Sequence, residues 1–131
     1  MSYRREILQG YTWSLLSPLV VTFCVSVFIG LADIRNKSIL YGIDTFFATF
    51  FFFGIISFLF SSVVCALVVV PAYYFSRTTG YANIFVISAS GGLAGYGFAV
   101  STGQVSYYTI LYIVYGVATG WFFWVGSKKV R

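Results

Sequence analysis

Charged residues divide the chain into long apolar stretches. The eight Lys or Arg and three Asp or Glu side chains leave three uncharged intervals, 7–32, 45–76 and 78–127. An α-helix needs about 20 predominantly apolar residues to cross a hydrocarbon core about 30 Å thick. The first interval therefore predicts one membrane-spanning helix, and the third is long enough for two.

Polar residues and a proline predict where helices end within the second and third intervals. The third contains one polar run, 101–106, whose glycine suits a tight turn between antiparallel helices. A single helix over the second interval would be about 48 Å long, more than the hydrocarbon core. Proline lacks an amide hydrogen and clashes with the preceding turn. The sequence therefore predicts a span that ends at Val70, with 71–75 as a kinked extension at headgroup level.

These boundaries predict four spans and short connections. Short connections make sequential helices antiparallel neighbours. The expected fold is an all-α integral membrane protein, a four-transmembrane-helix antiparallel bundle that forms one membrane domain over residues 1–131. The predicted spans are 12–32, 45–70, 82–100 and 106–126.

Composition supports the same class. The chain is 60% hydrophobic and only 8% charged, whereas an ordinary soluble domain is about 25% charged. A soluble fold of this size needs more polar groups to cover its surface. A water-soluble globule, a disordered tail and a basic domain that binds nucleic acid directly are thus excluded, and the expected surroundings are a lipid bilayer.

The distribution of cations predicts the orientation. Loops rich in Lys and Arg remain in the cytoplasm. With four spans, six cations share one side and only Arg35 and Lys37 lie on the other. Both termini are therefore expected to be cytoplasmic, in a bacterial inner membrane. The six cations, expected to act as membrane anchors or partner contacts, are Arg4, Arg5, Arg77, Lys128, Lys129 and Arg131.

Small residues recur four positions apart in the last two spans. Gly91, Gly95 and Ala99 share one helix face, and so do Gly116 and Gly120. Such faces let two backbones approach closely in lipid. The pattern fits packing between neighbouring spans of one chain, a subunit interface, or glycines that leave room for a permeation path.

The second span combines bulky and small faces. Phenylalanines cover the whole circumference of its first half, so part of that surface is expected to face lipid. Gly54, Ser57, Ser61 and Cys65 are three or four residues apart and predict its inward face. Packing is the expected role of these serines, because the spans offer no base to activate one.

Several kinds of chemistry are missing from the sequence. It has no His, and its carboxylates Glu6, Asp33 and Asp44 lie at or beyond the predicted span ends. Proton-coupled transporters normally keep an ionisable residue at mid-membrane depth. No Cys/His spacing typical of a metal site occurs. We therefore expect no enzyme, cofactor or metal, although a catalytic pair of Asp33 and Asp44 remains an open, minor alternative.

Two function classes follow from these features. The first is a non-enzymatic membrane protein that acts through protein contacts, as a homo-oligomer or as the membrane subunit of a complex. Immunity to a membrane-active toxin and sensing or anchoring in anti-phage defence are examples. The alternative is a small channel, flippase or facilitator without proton coupling, whose path follows the glycine-rich third span. Its polar lining residues would be Asn83, Ser88, Ser90 and Gln104.

Overall fold

The computed structural model describes residues 2–103 and 107–129, and every regular element in that part of the chain is helical. Gln104 and Arg131 lie outside the described residues. The elements are α1 (Ser2–Ser14), α2 (Ser17–Asn36), α3 (Ile39–Val64), a π-helical turn (Cys65–Val69), α4 (Val70–Thr79), α5 (Ile84–Ser101) and α6 (Tyr107–Lys128).

Within the part of the chain that the structure describes, four helical segments are long and apolar enough to cross a membrane, which confirms the predicted helical membrane class. They are Tyr3–Asn36, Ile39–Thr79, Ile84–Ser101 and Thr109–Lys128. The first two contain 34 and 41 residues, so they extend well beyond the predicted 12–32 and 45–70. Their connection is short because Ser38 caps α3, its hydroxyl accepting the backbone N–H of Tyr41 at 3.2 Å.

A proline accounts for the junction between α1 and α2. Pro18 lies in the first turn of α2 and has no N–H to donate to the carbonyl of Ser14, four residues earlier. The hydroxyl of Ser17 donates to that carbonyl instead, at 2.7 Å. The carbonyl of Ser14 therefore keeps a hydrogen-bond partner. The segment Tyr3–Asn36, formed by α1 and α2, is called the first long helix below.

The second long helix continues past Pro71, through the segment 71–75 that the sequence predicts as a kinked extension. The end of the membrane span at Val70 stays a prediction. The helix widens into the π-helical turn Cys65–Val69, where the N–H of Val70 donates to the carbonyl of Cys65. Because this N–H bonds to the carbonyl five residues earlier, the backbone is locally wider than in an α-helix and accommodates Pro71 immediately after the turn. The chain then continues as α4 to Thr79, and Gly80 ends it with a φ of 80°, which favours glycine.

Residues are buried at every fourth position along the first long helix. The stripe is Glu6, Gly10, Ser14, Pro18, Thr22, Ser26 and Gly30. Each step of four residues turns about 40° past one full helical turn, so six steps turn the stripe by about 240°. One helix can thus face two neighbours: Gly10 lies against Phe123 of α6, and Gly30 lies against Gly42 of α3.

The helices α5 and α6 pack antiparallel through their glycines. A methyl group built on Gly91 would overlap the carbonyl oxygen of Gly116, and one on Gly95 would overlap that of Tyr112. A methyl group on Gly120 would lie 2.5 Å from the carbonyl oxygen of Ile87. These positions tolerate only a hydrogen atom because backbone faces backbone.

The largest buried apolar side chains lie toward the end of the molecule that contains both termini. Tyr73, Ile87 and Phe123 are fully buried there, and they join α4, α5 and α6. The Tyr73 and Phe123 rings meet edge to face, with centroids 5.2 Å apart. This cluster, together with Val69 and Trp124, is called the aromatic core below.

Two glycines of α5 provide a matched test of this packing. We expect Gly91→Ala to lower the free energy of unfolding by about 1–3 kcal/mol, the usual cost of overpacking. Gly97→Ala should leave stability unchanged or raise it, because no atom lies within 4 Å of that position and alanine favours helix. Thermal unfolding in a mild detergent compares the two. Equal losses would contradict backbone contact at Gly91.

Candidate functional site

A buried carboxylate links α1 to α4 near the termini. Glu6 is 3% exposed, although the sequence predicted a position at or beyond a span end. The Tyr73 hydroxyl donates a hydrogen bond to Glu6 Oε2. Arg77 Nη2 donates to both carboxylate oxygens, at 3.3 and 3.4 Å. Glu6, Tyr73 and Arg77 are called the carboxylate cluster below.

The carboxylate cluster satisfies both oxygens of the buried Glu6 side chain, which accept from the Arg77 guanidinium and the Tyr73 hydroxyl. Hydrogen bonds between charged groups are stronger than those between neutral groups. The Arg77 guanidinium also lies over the Tyr3 ring, with its central carbon 5.6 Å from the ring centroid. Tyr73 belongs to the aromatic core, so the cluster fastens the start of α1 to the core of the molecule.

A series of hydroxyl contacts crosses the interior. Thr22 is bonded to Tyr115 at 2.7 Å and to Ser57 at 3.0 Å, which joins α2, α3 and α6. Nearer the termini, Ser17 bonds to Thr119 at 3.2 Å. Interhelical hydrogen bonds of this kind contribute on average about 0.6 kcal/mol each in a membrane protein. They fix the positions of α2, α3 and α6 relative to one another, in surroundings where the hydrophobic driving force between helices is weak.

Three other buried hydroxyls have no hydrogen-bond partner within the described residues: Ser26, Ser61 and Ser88. A buried polar group without a partner costs free energy, most of all in an apolar medium. The interior of this protein is consequently more polar than its hydrophobic sequence suggests. The first long helix contributes five of the eleven buried polar side chains of the described residues. Sequence reasoning missed its buried stripe, although small residues recur every four positions from Gly10 to Gly30.

A side pocket opens between α3 and α6 beside these hydroxyls. Its volume is about 120 Å³. Ser57 and Tyr115 are almost fully buried, at 5% and 6% exposed. Ile56 on the rim is 47% exposed. The pocket is lined by Phe53, Ile56, Ser57, Phe60, Leu111, Tyr112 and Tyr115.

The size and lining of the side pocket limit what it can hold. A cavity of about 150 Å³ lined by apolar groups binds a molecule as small as benzene. The side pocket is smaller than that, and the hydroxyls of Ser57 and Tyr115 already bond to Thr22. It therefore suits one apolar side chain or a few methylene groups, not a polar substrate.

The five described cations of the predicted basic set share the end of the molecule that contains the termini. Lys128 lies over Trp124 and Lys129 over Trp13, with the nitrogen 5.0 and 3.7 Å from the ring centroids. Arg77 is bound in the carboxylate cluster. Arg4 and Arg5 are exposed and make no ion pair or ring contact within the described residues. These two arginines are therefore the most available cations at that end.

The small residues that the sequence predicted to pack lie in two places, between α5 and α6 and on α3. Gly91, Gly95, Gly116 and Gly120 are buried between α5 and α6 of the same chain, and Ala99 is also fully buried. Ser57 and Ser61 are buried on the inner side of α3, whereas Gly54 is half-buried, with Thr22 the nearest side chain. A subunit interface at the α5 glycines would require α6 to leave them. The catalytic alternative gains no support, since Asp44 is exposed and Asp33 only half-buried.

No protein-family model, curated protein or solved structure matches this chain. Among the described residues, no group of three or more His, Cys, Asp and Glu side chains could hold a metal ion.

Replacing the buried carboxylate should destabilise the protein. Glu6→Ala removes the acceptor that Tyr73 and Arg77 share, and we expect a loss of about 1–3 kcal/mol in the free energy of unfolding. Glu6→Gln keeps one acceptor oxygen and should lose less. Asp44→Ala removes an exposed carboxylate and should change stability little. Unfolding in mixed detergent micelles measures all three, and a Glu6→Ala protein as stable as Asp44→Ala would contradict the cluster's role.

Proposed function

We propose that the protein is a non-enzymatic membrane subunit that works by binding another membrane-embedded helix at the side pocket. The partner helix inserts one apolar side chain between α3 and α6, over the Ser57 and Tyr115 hydroxyls. Supporting this, the pocket has the volume of a single side chain and opens laterally. Close packing holds helices together in lipid, where the hydrophobic driving force between them is weak.

Two features favour this function over a channel, flippase or facilitator. Gly91 and Gly95 of α5, which belong to the glycine-rich face offered by the sequence as the wall of a path, lie against the backbone of α6. At the end near the termini, the space between helices is filled by the fully buried side chains of Tyr73, Ile87 and Phe123. A path would have to separate α5 from α6 or pass the aromatic core.

The proposed function fits a module that reports or blocks events within the bilayer. Toxin immunity and anti-phage defence are examples, because both can operate by occupying or sensing a membrane-embedded partner without chemistry of their own. We propose an antiparallel four-helix bundle in a bacterial inner membrane, with the cationic end in the cytoplasm. This orientation is supported by the location of Arg4, Arg5 and Lys129 at one end and by the preference of such residues for the cytoplasmic side.

Site-specific crosslinking tests the side pocket. A photoreactive phenylalanine in place of Ile56 should form an adduct in native membranes, because that position is on the pocket rim and is 47% exposed. The matched control is the same substitution at Leu93, which is 71% exposed on α5 and does not line the pocket. We expect several-fold more adduct from position 56, measured on denaturing gels and by mass spectrometry.

The mass of the adduct then identifies the partner. An adduct of twice the 14.6 kDa chain mass would show a second copy, and any other mass a different subunit. Equal adduct yields from positions 56 and 93, or no adduct from position 56, would overturn the proposed docking position.

The orientation has a separate test. Alkaline phosphatase, which is active only outside the cytoplasm, should be inactive when fused after Arg131 and active when inserted at the connection between α2 and α3. The reason is the excess of cations at the end of the molecule with the termini. Colony assays with a cytoplasmic reporter at the same two positions provide the control, and an active fusion after Arg131 would reverse the topology.

A further inference from the structure

A second concave surface lies between α1 and the second long helix, and it shares no lining residue with the side pocket. It is an open groove of about 560 Å³. Its walls are almost entirely apolar and aromatic, and its single cation is Arg4. The groove is formed mainly by Arg4, Ile7 and Tyr11 of α1, by Ala66 of the π-helical turn, and by Val70 and Tyr74 of α4.

The π-helical turn and the carboxylate cluster together create this groove. The widened turn displaces α4 from a regular helical path, and Glu6 binds α1 to Tyr73 and Arg77. Nearby, Tyr11 is held in place by a 2.6 Å hydrogen bond to Ser62. The groove walls are therefore held in place by contacts between α1 and the second long helix.

The charges near the groove are not equivalent. Arg77 is paired with Glu6, and Lys128 and Lys129 each lie over an indole ring. Arg4 is exposed and makes no ion pair within the described residues. The apolar length from Arg4 to Tyr11 is about 10 Å along the helix, enough for part of an acyl chain. A cation at one end of an apolar groove matches a phosphate attached to a hydrocarbon chain.

We propose that this groove is a binding site for an anionic phospholipid. One acyl chain lies along Ile7, Tyr11 and Val70, and the Arg4 guanidinium binds the phosphate. The net charge of the chain is +5, and Arg4 is the cation that lines the groove. The ammonium group of a zwitterionic lipid compensates its own phosphate, whereas a glycerol headgroup leaves the phosphate charge available to Arg4. The preferred ligand is therefore a lipid such as phosphatidylglycerol.

Lipid retention by the purified protein tests this site. Native mass spectrometry from detergent, with phosphatidylglycerol and phosphatidylcholine of identical acyl chains, should show preferential retention of phosphatidylglycerol. Arg4→Gln should lower its occupancy about five-fold, the contribution of one cation near an anionic lipid. Arg5→Gln is the matched control: it removes the same charge from the next residue, which does not line this groove, and should have little effect.

A second variant tests the apolar half of the site without changing any charge. Ala66 is exposed in the groove, so Ala66→Phe should place a ring in the path of the acyl chain, lower phosphatidylglycerol occupancy and leave the unfolding temperature unchanged. Equal losses for Arg4→Gln and Arg5→Gln would show attraction to the general surface charge and overturn the site. Equal retention of the two lipids, or full retention by Ala66→Phe, would also overturn it.

Discussion

The structure depends on the close approach of helix backbones at small residues spaced four apart. Burying an apolar side chain gives little driving force when the solvent is itself hydrocarbon, so contact distance matters more than apolar area. Gly91 against Gly116, and Gly30 against Gly42, bring backbones together at two separate interfaces. The first long helix can serve two neighbours because its small-residue stripe winds around it.

This close approach also explains why hydroxyl groups are tolerated inside the protein. Thr22, Ser57 and Tyr115 come from three helices and meet within hydrogen-bonding distance. Without such proximity each hydroxyl would need its own helix carbonyl or would remain unsatisfied. The side pocket lies next to this meeting point, where bulky residues of α3 and α6 prevent the two helices from closing further.

The two ends of the molecule have different physical characters. Near the termini, the aromatic core and the carboxylate cluster fill the interior, and cations lie around the outside. Farther from the termini, the long α2 and α3 pack mainly on each other and present phenylalanines such as Phe28, Phe47 and Phe51 to the surroundings. A molecule filled at one end, with a pocket near its middle, fits the proposed contacts within the bilayer plane and the proposed lipid site at its cationic end.

The sequence by itself determined the helical membrane class and the number of apolar helices, because charge is excluded from hydrocarbon and span length is set by bilayer thickness. It also placed Ser57 and Ser61 on one helix face, since that depends only on local periodicity. Only the tertiary structure decided that α5 glycines meet α6 and that the second long helix continues as far as Thr79. It also decided that Glu6 is buried, because its partners lie 67 and 71 residues away, and local sequence cannot indicate a charge whose stabilising groups come from another helix.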